Sequence, residues 1–291
     1  MKKKKFAKLI TLGLSAVMVL SMVSCGGSGE SEDGSKGSDI TVISREEGSG
    51  TRDAFTELTG ILQDDVDRTV DTAEISNSTS VVTQSVAGNE AAIGYISLGS
   101  LDDSVKAIKV DGAEATVDNV KNGSYKLQRP FNIVTKGDVS ELSQDFINYI
   151  MSAEGQKIIE EEGYITVDEN AKAYEASGLT GSVTLAGSTS VSPVMEVLAD
   201  RYKELNKGVT IEIQQTGSGA GIQSTMEGVC DIGMASRELE EDEAAEGLDC
   251  KSIALDGIAV IVNQNNTVED LTMEQIMNIF IGETTNWADV Q

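Results

Sequence analysis

A β-branched run that stops in a glycine- and hydroxyl-rich turn and resumes with helical periodicity occurs three times, in ISREEGSGTRDAF (43–55), AGSTSVSPVMEVLADRYKEL (186–205) and IEIQQTGSGAGIQSTMEG (211–228). Strands that feed helices through short turns stack in alternating layers, so the chain is expected to be α/β. At 291 residues it exceeds one average domain, which leaves two lobes or one large α/β unit. Apolar β-branched runs place strands at 40–44, 91–97, 131–136, 182–187, 209–215, 231–236 and 258–263, and 3.6-residue periodicity places helices at 51–62, 141–161, 193–206, 220–227 and 272–280. The polar, alanine-rich stretch Asp168 to Gly181 reads as a linker between two blocks.

Each of the three turns sits where a helix begins. Free backbone N–H groups and the positive end of the helix dipole favour an anion there, and glycine lets the backbone come close to it. In the first turn Gly48, Ser49, Gly50 and Thr51 precede a helix whose apolar face is Ala54, Phe55, Leu58 and Leu62. Arg45 adds a two-pronged cation, and Glu46 or Glu47 stands ready to brace it. The second turn carries Ser188, Thr189, Ser190 and Ser192 ahead of Pro193 at the first helical position. The third, Gly217-Ser218-Gly219, lacks the lysine of a P-loop and the spacing of a dinucleotide fingerprint, which argues against a nucleotide. Taken singly, each turn is also explained by helix capping alone. Together they indicate a small oxyanion held mainly by neutral dipoles.

Charge and composition narrow the function further. The formal net charge is −26, and since residues 1–24 hold five lysines and no acids, their removal leaves −31. Nucleic acid is therefore excluded as a partner, and an anion site depends on local donors. The chain has no histidine, which removes histidine base catalysis and histidine metal ligation; no cofactor and no metal are expected.

The N-terminus reads as an export signal: Lys2 to Lys5 and Lys8, an apolar run from Leu9 to Val23, then Ser24-Cys25. Met22-Val23-Ser24-Cys25 resembles the lipobox of bacterial lipoproteins, with Cys25 as the lipidated residue; an ordinary cleaved signal with a spare cysteine is the alternative. On this reading residues 1–24 are the signal peptide and 25–38 a flexible tether with no apolar residue beyond Cys25. Cys230 and Cys250 remain, and the sequence leaves both a disulfide and two free thiols open.

The strings GSTSVSP, TGSGAGI, DIGMASRELEEDE, IALDGIAVIVN, LTMEQIMNIFIGETTNW, ISREEGSGTRDAF, AAIGYISLG and FINYIMSAEGQKIIEEEGYI resemble the phosphate-binding lipoproteins of phosphate ABC transporters. The resemblance implies a type II periplasmic-binding-protein fold, an α/β body of two lobes with a central ligand cleft. It implies inorganic phosphate as ligand, membrane permease subunits as partners, and an extracytoplasmic location on the bacterial cell membrane through a lipid anchor. Carried to matching positions, it implies phosphate contacts from Thr189, Ser190 and Ser218 on one lobe and from Arg45, Ser49, Gly50 and Thr51 on the other, with Glu47 bracing the arginine. Where some members carry a proton-accepting aspartate, this chain has Arg237, a further possible contact that leaves a sulfate-like oxyanion as the alternative ligand.

The family order is also rotated. In the family GSTSVSP comes first, whereas here ISREEGSGTR opens the body and NIFIGETTNWADVQ closes it, as in a circular permutant. One lobe then spans residues 106–255 and the other 39–101 plus 256–291. A truncated chain that pairs by domain exchange is the competing explanation. A serine hydrolase using Ser49 or Ser218 lacks an activating base, and a sensor or adhesion lipoprotein without a transport role stays open.

Overall fold

The computed structural model describes residues 37–290. The expected signal peptide, Cys25 and the tether up to residue 36 lie outside the described residues. In chain order the main elements are β1 (Thr41–Arg45), α1 (Gly50–Thr59), β2 (Glu74–Ser76), α2 (Thr79–Ala87), β3 (Ala92–Ser97), β4 (Gln128–Lys136), α3 (Glu141–Ile150), α4 (Ala153–Glu161), β5 (Gly181–Gly187), α5 (Ser192–Leu205), β6 (Val209–Gln215), α6 (Ser218–Met226), β7 (Ile232–Ala235), β8 (Leu248–Asn263) and α7 (Met273–Phe280). The strands form one continuous path, β6-β5-β7-β4-β8-β3-β1-β2. β5 pairs in parallel with β6 and β7, and β1 in parallel with β2 and β3. Between these halves run the antiparallel strands β4 and β8.

The 16-residue strand β8 belongs to both halves. Its first part pairs with β4 and sends Ile253 and Ala254 into a core built from Phe131, Phe146, Leu185, Leu198, Tyr202 and Met234. Its second part pairs with β3 and sends Ile258, Val260 and Val262 into a core with Phe55, Tyr95, Phe280 and Trp287. In the sequence only 258–263 reads as strand. The earlier half carries exposed charges, buried Asp256 and Gly257, which mask its period of two.

The expected lobe boundary moves. The sequence reading assigns residues 106–255 to one lobe, but Ile108, Val110, Val120, Tyr125 and Leu127 pack into the core of the other, with Phe55 and Ile258. The short strand Val105–Ala107 pairs with β8 at Ile261–Asn263, and the Tyr125 hydroxyl donates to the Ile258 carbonyl at 2.8 Å. The crossover therefore lies near residue 128, giving a first lobe of 39–127 plus 256–290 and a second of 128–255. Within the first lobe the two ends of the body zip together. Ile40 N donates to the Thr285 carbonyl at 2.8 Å, Trp287 N donates to the Ser38 carbonyl at 3.0 Å, and Asp39 bridges Asn286.

The helix expected over 141–161 is two helices, because Ser152 caps α4 by accepting from Gly155 N while its hydroxyl donates to the Tyr149 carbonyl at 2.7 Å. α2 goes unread in the sequence: TSVVTQSVA is poor in strong helix formers, and it folds because Val82 and Val86 bury on the sheet while Ser78 caps it. Cys230 and Cys250 are free thiols, the first buried and the second half-buried.

The stretch 168–181 joins α4 and the short strand Ile165–Thr166 to β5, and it is docked rather than loose. Asp145 on α3 accepts from the hydroxyls of Tyr174 and Tyr202, both at 2.6 Å, and from Ser177 at 2.8 Å, while the Tyr174 ring packs on Tyr149 and Tyr202. Asp145→Ala strands three hydroxyls beside a packed aromatic cluster. It is expected to lower stability by about 2–3 kcal/mol and to open this stretch to limited proteolysis; an unchanged urea midpoint would refute the clamp.

Candidate anion-binding site

The C-terminal ends of β1, β5 and β7 and the N-termini of α1, α2, α5 and α6 converge between the lobes, as expected where parallel strands on either side of a switch point deliver their turns. The three turns singled out from sequence meet there, with a fourth helix start, that of α2.

Arg45 is the only arginine that reaches across to the second-lobe turn at Ser188–Ser190 among the described hydrogen bonds. It is 2% exposed, and its Nη2 donates to Thr189 Oγ1 at 3.1 Å. Tyr95 sets its backbone: the phenol oxygen accepts from Arg45 N at 3.3 Å, shares a hydrogen bond with Ser44 Oγ at 2.8 Å, and its ring stacks on Phe55. Burial pushes the Tyr95 hydroxyl up to about 12, so it stays protonated.

The brace expected from Glu47 comes from Glu46. Glu46 takes Arg45 Nε at 2.8 Å and Nη2 at 2.7 Å, a two-pronged contact, while Glu47 is exposed. The reason is local: the strand ends at Arg45, and the tight turn that follows, with Gly48 at φ 76°, folds Glu46 back on the guanidinium and carries Glu47 outward.

Hydroxyls fill the space around Arg45. Thr51 Oγ1 lies 2.9 Å from Ser190 Oγ, and Thr79 Oγ1 lies 3.1 Å from Ser190 Oγ and 3.3 Å from Thr189 Oγ1. Deeper in the second lobe Ser188 Oγ donates to Ser236 Oγ at 3.0 Å, Ser236 Oγ lies 3.2 Å from Ser218 Oγ, and Ser218 Oγ accepts from Ser236 N at 3.1 Å. Ser49 caps α1 by accepting from Arg52 N, which leaves its hydroxyl proton free to donate elsewhere. Gly219 N donates to the Gly48 carbonyl at 2.9 Å, so the two Gly-Ser-Gly turns touch. Gly50 permits this approach, since a Cβ there would lie 2.5 Å from Ser218 Oγ.

Arg45, Ser49, Gly50, Thr51, Thr189, Ser190 and Ser218 thus come together. Arg237 stands apart: each of its three nitrogens is held by a carboxylate, and Nη1 also by the Glu238 carbonyl. Sequence reasoning missed Thr79 and Ser236. The string NSTSVVTQSV held the cap signal for α2, but its helical period rests on two valines.

Behind the cluster, where β4 and β8 cross between lobes, Arg129 and Asp256 form a buried pair at 3.1 Å. Arg129 Nη1 donates to the Ser236 carbonyl at 3.3 Å, and Ser97 donates to Asp256 Oδ1 at 2.9 Å. Burial pushes the Asp256 carboxyl up to about 6 against the pull of Arg129.

A family model described as PBP superfamily domain matches residues 28–154 and 172–291. Phosphate-binding protein PstS 2 of Streptococcus agalactiae serotype V is 50% identical over 297 residues, covering 100% of this chain and 99% of the relative. Phosphate-binding protein PstS 2 of Streptococcus pneumoniae serotype 4 is 46% identical over 291 residues, covering 99% and 100%. The crystal structure of a phosphate-binding protein of a phosphate ABC transporter from Streptococcus pneumoniae superposes with a TM-score of 0.71 at 48% identity, over 87% of this chain and 100% of that one. A fold of two lobes on one crossing sheet, donor turns converging between them, and end-to-end likeness to these proteins place the chain in the PBP superfamily, among its PstS-like members.

Proposed function

We propose that this protein captures inorganic phosphate between its lobes and delivers it, outside the cytoplasm, to the permease of an ABC importer. The observation that carries the reading is the meeting of four helix N-termini around the buried, Glu46-braced guanidinium of Arg45. Neutral N–H and O–H donors from both lobes suit a small dianion, since each oxygen finds a partner only when the lobes are together. In this reading Arg45, Ser49, Gly50, Thr51, Thr189, Ser190 and Ser218 bind the anion, Thr79 joins them, Glu46 supports Arg45, and Cys25 carries a lipid anchor. The protein acts as a carrier and catalyses nothing. The zipped ends of the body support a permuted order that keeps the fold, and the two streptococcal relatives align with it from end to end.

Selectivity follows from the hydroxyls, which accept as well as donate. Serine and threonine oxygens can take the proton of hydrogen phosphate, whereas sulfate offers acceptors only. Calorimetric titration of the purified protein with phosphate, then sulfate, at neutral pH tests this. One-to-one phosphate binding about 100-fold tighter than sulfate is expected, below the roughly 10,000-fold of a site with a fixed acceptor, because a serine or threonine hydroxyl can turn to donate to sulfate. Equal affinities would overturn the selectivity, and no binding of either anion would overturn the function.

A further inference from the structure

The Arg237–Asp53 ion pair joins the two lobes without involving any hydroxyl of the anion site. Arg237 follows β7 in the second lobe, and its side chain is 9% exposed. Glu243, on the short helix Glu241–Ala245 of the same lobe, takes Nη1 at 2.7 Å and Nη2 at 2.8 Å. The Glu238 carbonyl accepts from Nη1 at 2.8 Å, and Glu240 lies 3.4 Å from Nη2. Its own lobe therefore fixes the guanidinium in one orientation. The remaining donor, Nε, is presented across the gap to Asp53 Oδ2 at 3.0 Å, on the first turn of α1 in the first lobe. Both residues line a cavity of about 660 Å³ at the junction of the lobes, with Glu57, Asp67, Gln128 and Leu239.

We propose that Arg237 and Asp53 form a latch that holds the lobes together around the anion and sets how fast it escapes, without touching it. The proposal rests on the phosphate-binding reading above. Opening leaves Arg237 its contacts to Glu243 and Glu238 and breaks only the one to Asp53. The pair therefore contributes to the closed state alone, and a contact made in one state shifts the equilibrium by its full differential strength. Because it forms after the anion has entered, it acts on release more than on capture.

Stopped-flow release of phosphate from the wild type, Asp53→Asn, Arg237→Gln and the double variant tests the latch. Each single variant is expected to release phosphate about tenfold faster, a change of about 1.4 kcal/mol, with association within about twofold. The double variant should be no faster than either single one, because the two residues share one interaction. Unchanged release in Asp53→Asn, a near-isosteric change on a helix surface, would overturn the proposal even if Arg237→Gln fails to fold. So would a shift in the phosphate-to-sulfate affinity ratio in Arg237→Gln, which would put Arg237 on the anion. If the wild type binds no phosphate, the functional reading fails and small-angle scattering still decides the latch: a larger radius of gyration in Asp53→Asn than in wild type supports it, and equal radii refute it.

Discussion

Replacing Arg45 by alanine is expected to weaken phosphate binding by about 100- to 1,000-fold while leaving the fold intact. Two effects add. The anion loses its one charge-assisted donor from the first lobe, and hydrogen bonds to charged groups contribute about 1.5–3 kcal/mol each. Glu46, freed from its two-pronged contact and 25% exposed, then faces the incoming anion as an unscreened like charge. Together these come to about 3–4 kcal/mol, and every 1.4 kcal/mol is tenfold in affinity. Arg45→Lys keeps the charge but loses the planar fork that spans Glu46 and Thr189, so it should fall between the two. Calorimetry reads both variants; an affinity within about threefold of wild type in Arg45→Ala would remove Arg45 from the site.

The largest stability effect is expected at the strand crossing. Asp256→Ala leaves Arg129 buried without a counter-charge, and breaking a buried pair in this way costs about 3–5 kcal/mol. That does not make the intact pair a net source of stability. Burial raises the Asp256 carboxyl from 3.8 to about 6, so the native protein holds this proton more tightly than the unfolded chain does. The contribution of Asp256 to stability therefore falls as pH rises from about 4 to about 6, with the sign opposite to that of a carboxylate whose pKa is lowered. In Asp256→Asn this part of the pH dependence should vanish. Urea midpoints at neutral pH and across that window measure both effects; equal pH profiles for wild type and Asp256→Asn would show that Asp256 does not titrate there.

Much of this architecture is readable from residue order, because strand, turn and helix each leave a local mark. β6 ends where its alternating pattern ends, and Pro193 and Gly217 mark the starts of α5 and α6. What escaped the reading depends on long-range partners. Asp256 and Gly257 look like a strand break until Arg129 is known to lie opposite, and TSVVTQSVA looks unlike a helix until Val82 and Val86 meet the sheet. The site shows the same division. Arg45 and the Gly-Ser-Gly turns carry their own chemistry, so they could be named. Two adjacent glutamates competed for one arginine, and only the turn geometry assigns Glu46. Arg237 could be singled out in the sequence, but its partner Asp53 is 184 positions away in the chain.

The discontinuous make-up of the first lobe bears on how the chain acquires its structure. Residues 128–255 form an unbroken stretch that holds one core, so this lobe has most of what it needs once that stretch has been synthesised. The first lobe cannot finish so early. β1, β3 and the helices that pack on them must wait for the second half of β8 and for α7 and Trp287, which lie at the far end of the chain. Contacts between residues this distant in sequence form slowly. The part of the molecule made first is thus completed last, and in the interval the edge of β3 and the apolar face of α1 depend on quality-control factors, or on speed, to escape aggregation.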